Sequence, residues 1–451
     1  MPPPPAEQAV LFGPDGAFGR GAAVPSLPEA FRSVAIPASG KYWRKLAAFA
    51  GPGYLVAVGY MDPGNWATDI AGGSRFGYAL LSVVLLSNFV AMFLQWLSLR
   101  LGIASGRDLA QLCRERFGSR VSIFLWATCE IAIVACDLAE VIGTAIALKL
   151  LFHLPLLAGV SITVLDTLVI MALQKRGFRY IEALVITLIG AIGACMAVEL
   201  YFCKPDMVGI LGGLVPTQSL FRDRDMLYIA LGIFGATVMP HNLYLHSSIA
   251  QTRSFDTTAK GRREAIHFST VDCFAALGFA LFVNAAILIL AAAAFHRGHP
   301  DVAQIEDAYK LLAPVVGAAA ASVLFAVALL ASGQNSTLTG TMAGQIVMEG
   351  FLNLRMNPVA RRLITRGLAV VPAFLVIAIA GESSATKLLI LSQVILSLQL
   401  GFAVIPLVMF TSDQNIMGSF VSSRFVRAAG YATGAAIVIV NFWLVIQSLS
   451  F

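Results

Sequence analysis

Apolar residues fall in successive stretches of about twenty, separated by short polar connections. At a rise of about 1.5 Å per residue, such a stretch crosses about 30 Å of hydrocarbon as a helix, and none shows the alternation of a membrane β-barrel strand. The pattern therefore predicts an all-α polytopic membrane protein with eleven spans. Their centres lie near residues 60, 90, 134, 164, 191, 240, 281, 330, 371, 398 and 438, and the bounds of the third and eighth are the least sharply marked.

Prolines interrupt the first span at Pro63 and the sixth span at Pro240. Spans one to five and six to ten therefore form two candidate repeats, at about 45–205 and 226–411, followed by an eleventh helix at about 425–450. Because each repeat has an odd number of spans, the two have opposite orientations in the membrane. This is the inverted-repeat plan of many secondary transporters, in which the broken helices meet near the bilayer midplane.

The basic residues predict how the chain is oriented. Lys and Arg are about twice as frequent in the connections on one side of the membrane, which the positive-inside rule assigns to the cytoplasm. The N-terminus is then inside and, with eleven spans, the C-terminus outside a multi-pass cell (inner) membrane protein. Residues 1–44 open with a proline run and lack an apolar stretch of signal-peptide length. We predict a disordered cytoplasmic tail there and a transporter domain over 45–451.

Composition agrees with this class. The chain is 58% hydrophobic and 12% charged with a mean hydropathy of +0.80, whereas about 25% of the residues of a soluble domain are charged. A net charge of +6 and a pI near 9.1 would suit a nucleic-acid partner, but membrane proteins hold such residues in cytoplasmic loops, so none is expected. The six cysteines lack paired spacing and are expected to be packing residues.

The two proline breaks carry the candidate chemistry. A proline leaves carbonyls of the preceding turn without helical partners, and the best placed are near Gly59 and Ala236. Asp62 is a mid-span carboxylate, which costs about 2.5 to 3.5 kcal/mol on translocon scales and marks a functional site unless a buried base pairs with it. Asn65 adds an amide oxygen one helical turn away.

Met239 precedes the second proline. A thioether beside oxygen ligands favours softer ions such as Mn²⁺, Fe²⁺ or Cd²⁺ over Mg²⁺ and Ca²⁺. The alternative is that Met239 only fills the apolar core.

Two histidines follow in the same motif. His241 and His246 titrate near neutral pH and could relay protons, or each could be a neutral hydrogen-bonding partner. For His241 both roles stay open, whereas for His246 the structural role is favoured.

Three acids share one face of the third span. Glu130, Asp137 and Glu140 are separated by seven and three residues, which brings them into one stripe of a helix. Intramembrane acids line a hydrated path or pair with bases. The candidate bases are Arg361, Arg362, Arg366 and Arg253. We favour a proton exit route gated by ion pairs, and the alternative is a set of structural salt bridges.

The motifs at the breaks are specific to one group of membrane proteins. They are Gly51-Pro52-Gly53, Gly59-Tyr60-Met61-Asp62-Pro63-Gly64-Asn65, Thr68-Asp69, Gly72-Gly73 and Met239-Pro240-His241-Asn242-Leu243-Tyr244. Further matches are the stretch from Gly333-Gln334 to Gly344-Gln345, Ser392-Gln393-Val394 and Gln399-Leu400. From about residue 45 to the end, the chain resembles the Nramp family of divalent metal transporters.

This resemblance implies a LeuT-like fold and proton-coupled import of Mn²⁺ or Fe²⁺ by alternating access. It implies that Asp62, Asn65, Met239 and the Ala236 carbonyl bind the ion, which is substrate and not cofactor. It further suggests Gln393 as a ligand in some conformations and Asn284 and Asn88 as pathway residues. Gly401 and Asn335 depart from the family pattern, which affects the bending and gating of the tenth and eighth helices and not the substrate class.

Two other functional classes are alternatives. A LeuT-like symporter of a small organic solute, with Asp62 as a cation ligand, needs no sulfur and is the alternative transport function. An intramembrane enzyme is disfavoured because the chain has no HExxH pair, and ATP-driven pumping because it has no Walker A loop. We therefore expect a non-enzymatic monomer that contacts membrane lipid, divalent metal ions and protons.

Overall fold

The fold is almost entirely helical. It is given by a computed structural model that describes residues 25–37, 41–174, 177–298, 304–316 and 319–449. The strands β1 (Val34–Ala35) and β2 (Arg253–Ser254) form one parallel pair. Short 3₁₀ helices cover Gly77–Leu80, Gln218–Phe221, Ala250–Thr252 and Gly418–Phe420.

The two halves of the chain have matching helix orders. The helices of the first half are α1 (Tyr42–Phe49), α2 (Pro52–Gly59), α3 (Pro63–Phe76), α4 (Leu81–Ser105), α5 (Leu109–Arg116), α6 (Ser119–Phe152), α7 (Leu156–Gln174), α8 (Phe178–Cys203) and α9 (Met207–Gly213). Those of the second half are α10 (Arg224–Thr237), α11 (Pro240–Ile249), α12 (Ala259–Phe295), α13 (Ile305–Val316), α14 (Ala319–Leu352), α15 (Pro358–Ala380), α16 (Ser384–Thr411), α17 (Gln414–Met417) and α18 (Arg424–Leu449). In each half a broken helix forms the first span, preceded in the first half by the short helix α1, and a short helix, α5 or α13, lies between the second and third spans.

Each of the eleven predicted spans coincides with one helix or one broken pair. By length and composition, nine helical stretches among the described residues could cross a membrane. The number is smaller because Pro63–Ser105 joins part of the first span to the second, and because the fourth span contributes only the shorter apolar stretch Leu156–Leu165.

Both predicted breaks are present. Helix α2 ends at Gly59 and α3 begins at Pro63, while α10 ends at Thr237 and α11 begins at Pro240. Each proline is thus the first residue of the second half-helix, where its missing N–H has no helical acceptor and its fixed φ suits the helix. Asp62 and Met239 lie in the non-helical residues between the half-helices, and the candidate ligands Gly59, Asn65 and Ala236 lie in the helix ends beside them.

Helices α6 and α12 form the centre of the packing. Helix α6 packs against α14 and α16, and α12 packs against α3 and α4. A Cβ atom on Gly143 of α6 would overlap the ring of Pro63, so only glycine lets α6 approach the first break this closely. The helix with the acidic stripe therefore touches the break that carries Asp62.

The prediction of a disordered tail over residues 1–44 is wrong for residues 25–37 and for residues 41–44, where α1 begins. Val34 and Ala35 pair with β2, and the side chains of Leu27 and Val34 are both 7% exposed. The proline-rich opening of the tail gave no sign of this, because the order comes from pairing with a distant part of the chain. Residues 1–24 and 38–40 lie outside the described residues.

Candidate functional site

Asp62 caps the second half of the first broken helix. Its Oδ1 atom accepts a hydrogen bond from the backbone N–H of Asn65 at 2.8 Å, as expected of an aspartate at a helix N-cap. Its Oδ2 atom has no hydrogen-bond partner in the described structure, although the residue is fully buried. The Oδ1 atom of Asn65 is likewise buried and unpartnered. Such groups are rarely left unpaired without a function.

Met239 and Gln393 bring the second half of the chain to this point. The Met239 sulfur lies 3.2 Å from the position that a Cβ on Gly59 would take, and the same Cβ would overlap the side chain of Asn242. A Cβ on Gly64 would overlap the Gln393 amide. The Gln393 Oε1 atom has no hydrogen-bond partner among the described residues. The two breaks therefore face each other, with α16 beside them.

The predicted backbone ligands lie at the ends of the first half-helices. Gly59 is the last residue of α2, and Ala236 lies in the last turn of α10. The last four carbonyls of a helix have no partner within it. Both residues are buried, so these carbonyls are directed into protein and not to bulk water.

The site combines hard and soft donors. Among the described residues there is no group of three or more His, Cys, Asp and Glu that could hold a metal ion. The candidate set instead has one carboxylate, two amide oxygens, carbonyls at the helix ends and one thioether. Oxygen donors alone suit Mg²⁺ and Ca²⁺, and the sulfur shifts the preference towards transition ions.

A chain of hydrogen bonds links the first break to α4, α11 and α12. His246 Nδ1 is 2.9 Å from Gln95 Oε1, and Gln95 Nε2 donates to the Tyr60 hydroxyl at 2.8 Å. The Tyr60 carbonyl accepts from Asn284 Nδ2 at 2.8 Å. His246 and Asn284 thus fasten α11 and α12 to the break, and Gln95 and Tyr60 were not foreseen from the sequence.

Two other predicted residues have unpartnered polar atoms. His241 is 1% exposed and its Nδ1 atom has no partner in the described structure. Asn88 is fully buried on α4, with neither amide atom bonded within the described chain. Both add to the polar groups that are buried around the breaks.

The three acids of α6 are paired with arginines of α15. Arg361 Nη2 lies 3.1 Å from both oxygens of Glu130. Arg362 and Arg366 lie 3.1 Å and 2.5 Å from Asp137 Oδ1. The predicted one-sided stripe is therefore an ion-pair ladder between two helices.

Glu140 lies at the end of this ladder nearest the breaks. Its Oε2 atom is 3.8 Å from both Arg362 and Arg366, which is too long for a hydrogen bond. The Cys136 thiol donates to its Oε1 atom at 3.7 Å, and Cys136 packs in one apolar cluster with Met239. A short line of contacts thus joins Met239 to Glu140 and the arginines.

Arg253 was expected to pair with the acids of the third span, and this is wrong. Its Nη1 atom lies 2.6 Å from Glu182 Oε1 on α8, and its Nη2 atom donates to the Ala50 carbonyl at 2.7 Å. Arg253 follows the 3₁₀ turn after α11, so it lies at the predicted cytoplasmic end of the broken helix. The Glu182 carboxylate in an apolar span was the signal for this partner.

Asp272 of α12 completes the same cluster. Its two oxygens accept from the backbone N–H groups of Gly51 at 3.0 Å and Gly53 at 2.6 Å. Together with Arg253 and Glu182 it binds the N-terminal end of α2, which is thereby fixed to α8 and α12. These four positions form the inner cluster: Gly51, Glu182, Arg253 and Asp272.

A cavity of about 390 Å³ lies between α3, α10 and α16, on the side of the two breaks that faces away from the inner cluster. It is lined by Ala71, Arg75, Tyr228, Ile229, Lys387, Ile390 and Leu391. A Cβ on Gly232 would lie 3.0 Å from Thr68 and 3.8 Å from Ile390. Thr68 of α3 and Ile390 of α16 thus lie close to α10 beside the cavity.

Comparison with known proteins agrees with this architecture. The model of the family described as "Natural resistance-associated macrophage protein-like" matches residues 53–447. The divalent metal cation transporter MntH of Nostoc sp. is 60% identical over 94% of this chain and 96% of its own. MntH of Bradyrhizobium diazoefficiens is 57% identical over 94% of both chains.

Solved structures agree as well. The manganese transporter of Eremococcus coleocola has a TM-score of 0.86 at 40% identity, covering 92% of this chain and 90% of that one. Mhp1, a nucleobase-cation-symport-1 family transporter, has a TM-score of 0.54 at 15% identity over 97% of both chains, which bears on the fold alone. The predicted all-α, LeuT-like fold with two inverted repeats is thus confirmed, and the named relatives are transporters and not enzymes. The chain belongs to the Nramp family.

Proposed function

We propose that the protein imports divalent transition-metal ions, Mn²⁺ and Fe²⁺ and also Cd²⁺, together with protons by alternating access. The observation that carries this proposal is the set of buried oxygens of Asp62, Asn65 and Gln393 that lack a hydrogen-bond partner in the described part of the chain and lie beside the Met239 sulfur. A cation that binds there satisfies groups that are otherwise costly to bury. The relatives named as divalent metal and manganese transporters support the same class of substrate.

The proposed ligands divide by hardness. Asp62 supplies the charge and, with Asn65, hard oxygen, while the carbonyls of Gly59 and Ala236 lie at the ends of the facing half-helices. Met239 supplies the soft donor that lowers the relative affinity for Ca²⁺ and Mg²⁺. Gln393 lies on α16 and binds only when that helix is near α3.

Protons leave the site along α6 in this proposal. Glu140 is the acid of the ladder nearest to the breaks, and its contacts with Arg362 and Arg366 are long. It can therefore change protonation with less loss of pairing than Asp137, which is bonded to both arginines. Asp62 gives up its proton when the metal binds, and Glu140 passes it towards Asp137 and Glu130. The role of His241, as relay or as neutral partner, is left open.

In this proposal the predicted cytoplasmic side is the closed side of the transporter and the predicted outer side is partly open. The inner cluster fixes α2 at the predicted cytoplasmic end, and the cavity near Arg75 and Lys387 lies at the predicted outer end. In the transport cycle we propose, the inner cluster opens after α3, α10 and α16 close above the ion. The N-terminus is cytoplasmic and the C-terminus external in the cell membrane, and the repeats are at about 45–205 and 226–411.

Uptake into liposomes tests the proposal. Purified protein is reconstituted, the outside is made more acidic than the lumen, and internal Mn²⁺ and pH are followed with separate dyes. We expect Mn²⁺ accumulation together with acidification of the lumen, and loss of both in Asp62→Asn. Folded protein that takes up no Mn²⁺ would contradict the proposed function, and uptake without acidification would remove the proton from it.

A further inference from the structure

The segment 27–35, here called the strap, crosses the predicted cytoplasmic end of the protein. One end is fastened to the connection between α11 and α12. Val34 and Ala35 pair in parallel with Arg253 and Ser254, and the Arg32 backbone N–H donates to the Gln251 carbonyl at 3.0 Å.

The Arg32 side chain adds to this attachment. Its guanidinium donates to the Phe255 carbonyl, and its Cζ atom lies 5.7 Å from the centre of the Phe255 ring, within the range of a cation–π contact. The strap therefore follows the connection over its whole first part, from Gln251 to Phe255.

The other end of the strap is fastened to α14. The backbone N–H of Leu27 donates to Glu349 Oε2 at 3.1 Å, and the other oxygen of Glu349 accepts from Gln345 at 2.9 Å. Leu27 is buried, and both Leu27 and Arg32 have positive φ, 55° and 53°. Left-handed backbone at such residues is unfavourable unless the surroundings hold it, so this path is imposed by its contacts.

The strap pairs with Arg253, whose side chain also belongs to the inner cluster. The Arg253 backbone pairs with the strap, while its side chain binds Glu182 and the Ala50 carbonyl. Opening of the predicted cytoplasmic side must move Arg253 away from these partners. Glu349 lies on α14, which packs chiefly on α6 and α8, and α8 carries Glu182. A movement of Arg253 away from Glu182 therefore also takes it away from Glu349, which holds the other end of the strap.

The two attachments differ in how easily they open. At the end paired with β2, Arg32, Ala35 and Ser254 are exposed and only the pair Val34 and Arg253 is buried, whereas at the other end both Leu27 and Glu349 are buried. Solvent-exposed backbone hydrogen bonds open at lower free energy than buried ones. The hydrogen bonds between β1 and β2 are therefore expected to break before the Leu27–Glu349 hydrogen bond.

We propose that the strap is a latch: it ties the α11–α12 connection to α14 while the cytoplasmic side is closed, and β1 must detach from β2 before the ion is released inside. This inference rests on the proposed alternating access. It assigns a role to the ordered part of the N-terminal segment that the transport site itself does not need.

A disulfide staple tests the latch. Ala35 and Ser254 are paired residues of adjacent strands, whose Cα atoms lie about 5 Å apart, within the range that a disulfide bridges. The variant Ala35→Cys/Ser254→Cys is reconstituted and Mn²⁺ uptake is measured oxidised and after dithiothreitol. Apart from half-buried Cys203, the native cysteines are buried, and the two single-cysteine variants are the matched controls.

We expect oxidation to lower uptake at least fivefold in the double variant, dithiothreitol to restore it, and neither single variant to respond. Equal uptake by fully cross-linked and reduced protein would overturn the latch. If the proposed function itself fails, the reduced protein and the single variants take up no Mn²⁺ either, which is a different result.

A second variant keeps the latch testable where the staple does not form. Arg32→Ala removes the contacts with Phe255 and weakens only the attachment of the strap to the α11–α12 connection. We expect a rate of Mn²⁺ uptake at least twice that of the unaltered protein, with unchanged Mn²⁺ affinity in calorimetry. An unchanged or lower rate would overturn the latch.

Discussion

Replacing Met239 with leucine removes the sulfur and keeps nearly the same volume. Met239 is fully buried, packs with Cys136 and Leu396, and directs its sulfur towards Gly59. A Met-to-Leu change in a core costs less than about 1.5 kcal/mol of stability, whereas truncation to alanine costs about 2 to 5 kcal/mol. The leucine variant therefore tests the loss of the sulfur ligand in a protein that still folds.

The expected effect is a change in the relative affinities of the site for different ions. The thioether is the one soft donor of the proposed site, so its loss should reduce the preference for Cd²⁺ over Ca²⁺ at least tenfold, which corresponds to about 1.4 kcal/mol. The assay is competition of each ion against Mn²⁺ uptake in liposomes, with the melting temperature measured on the same samples. Met226→Leu, at a buried position near the start of α10, is the matched control and should change neither.

An unaltered ion order in a folded Met239→Leu protein would refute the reasoning. It would show that Met239 only fills the core, as most buried methionines do. The selectivity of the protein would then have to come from the oxygen ligands alone.

Three further predictions concern the surroundings of the site. Arg253→Met separates a buried ion pair with Glu182 and should cost about 3 to 5 kcal/mol, seen as a lower melting temperature that Arg253→Met/Glu182→Leu partly restores; no change would contradict it. Gly64→Ala places a methyl group against the Gln393 amide and should weaken Mn²⁺ binding tenfold or more, and adding Gln393→Ala should restore stability but not affinity. Burial raises the pKa of Asp108 to about 6, from an ordinary 3.8, so the folded state binds the extra proton and the protein should lose about 2 kcal/mol of stability as the pH rises from 4 to 7. Asp108→Asn keeps the helix cap and should flatten that profile in thermal melts, and an unchanged profile would contradict the assignment.

The spans and breaks could be predicted because each depends on local sequence. Apolar stretches of span length specify the helices, and the prolines at 63 and 240 specify where two of them begin again. The acids of α6 were also visible, because a charge in an apolar span is conspicuous wherever it pairs.

Partners across the fold could not be predicted in the same way. Arg253 had several acids at a comparable depth, and the pairing with Glu182 depends on how α8 packs beside α2. The hydrogen-bond chain from His246 through Gln95 to Tyr60 joins α11 and α4 to the first break, and His246 is 151 residues from Gln95 in the sequence. The order of residues 25–37 arises from contacts with β2 and Glu349, which no local sequence pattern reveals.

The position of the bound ion tests the central claim most directly. Crystals or lipid-reconstituted crystals soaked with Mn²⁺ are measured on both sides of the manganese absorption edge, and the anomalous difference map locates the metal. We predict one peak between the two breaks, coordinated by the Asp62 carboxylate, the Asn65 amide oxygen and the Met239 sulfur. A peak elsewhere, or bound Mn²⁺ that does not contact Asp62, would contradict the account.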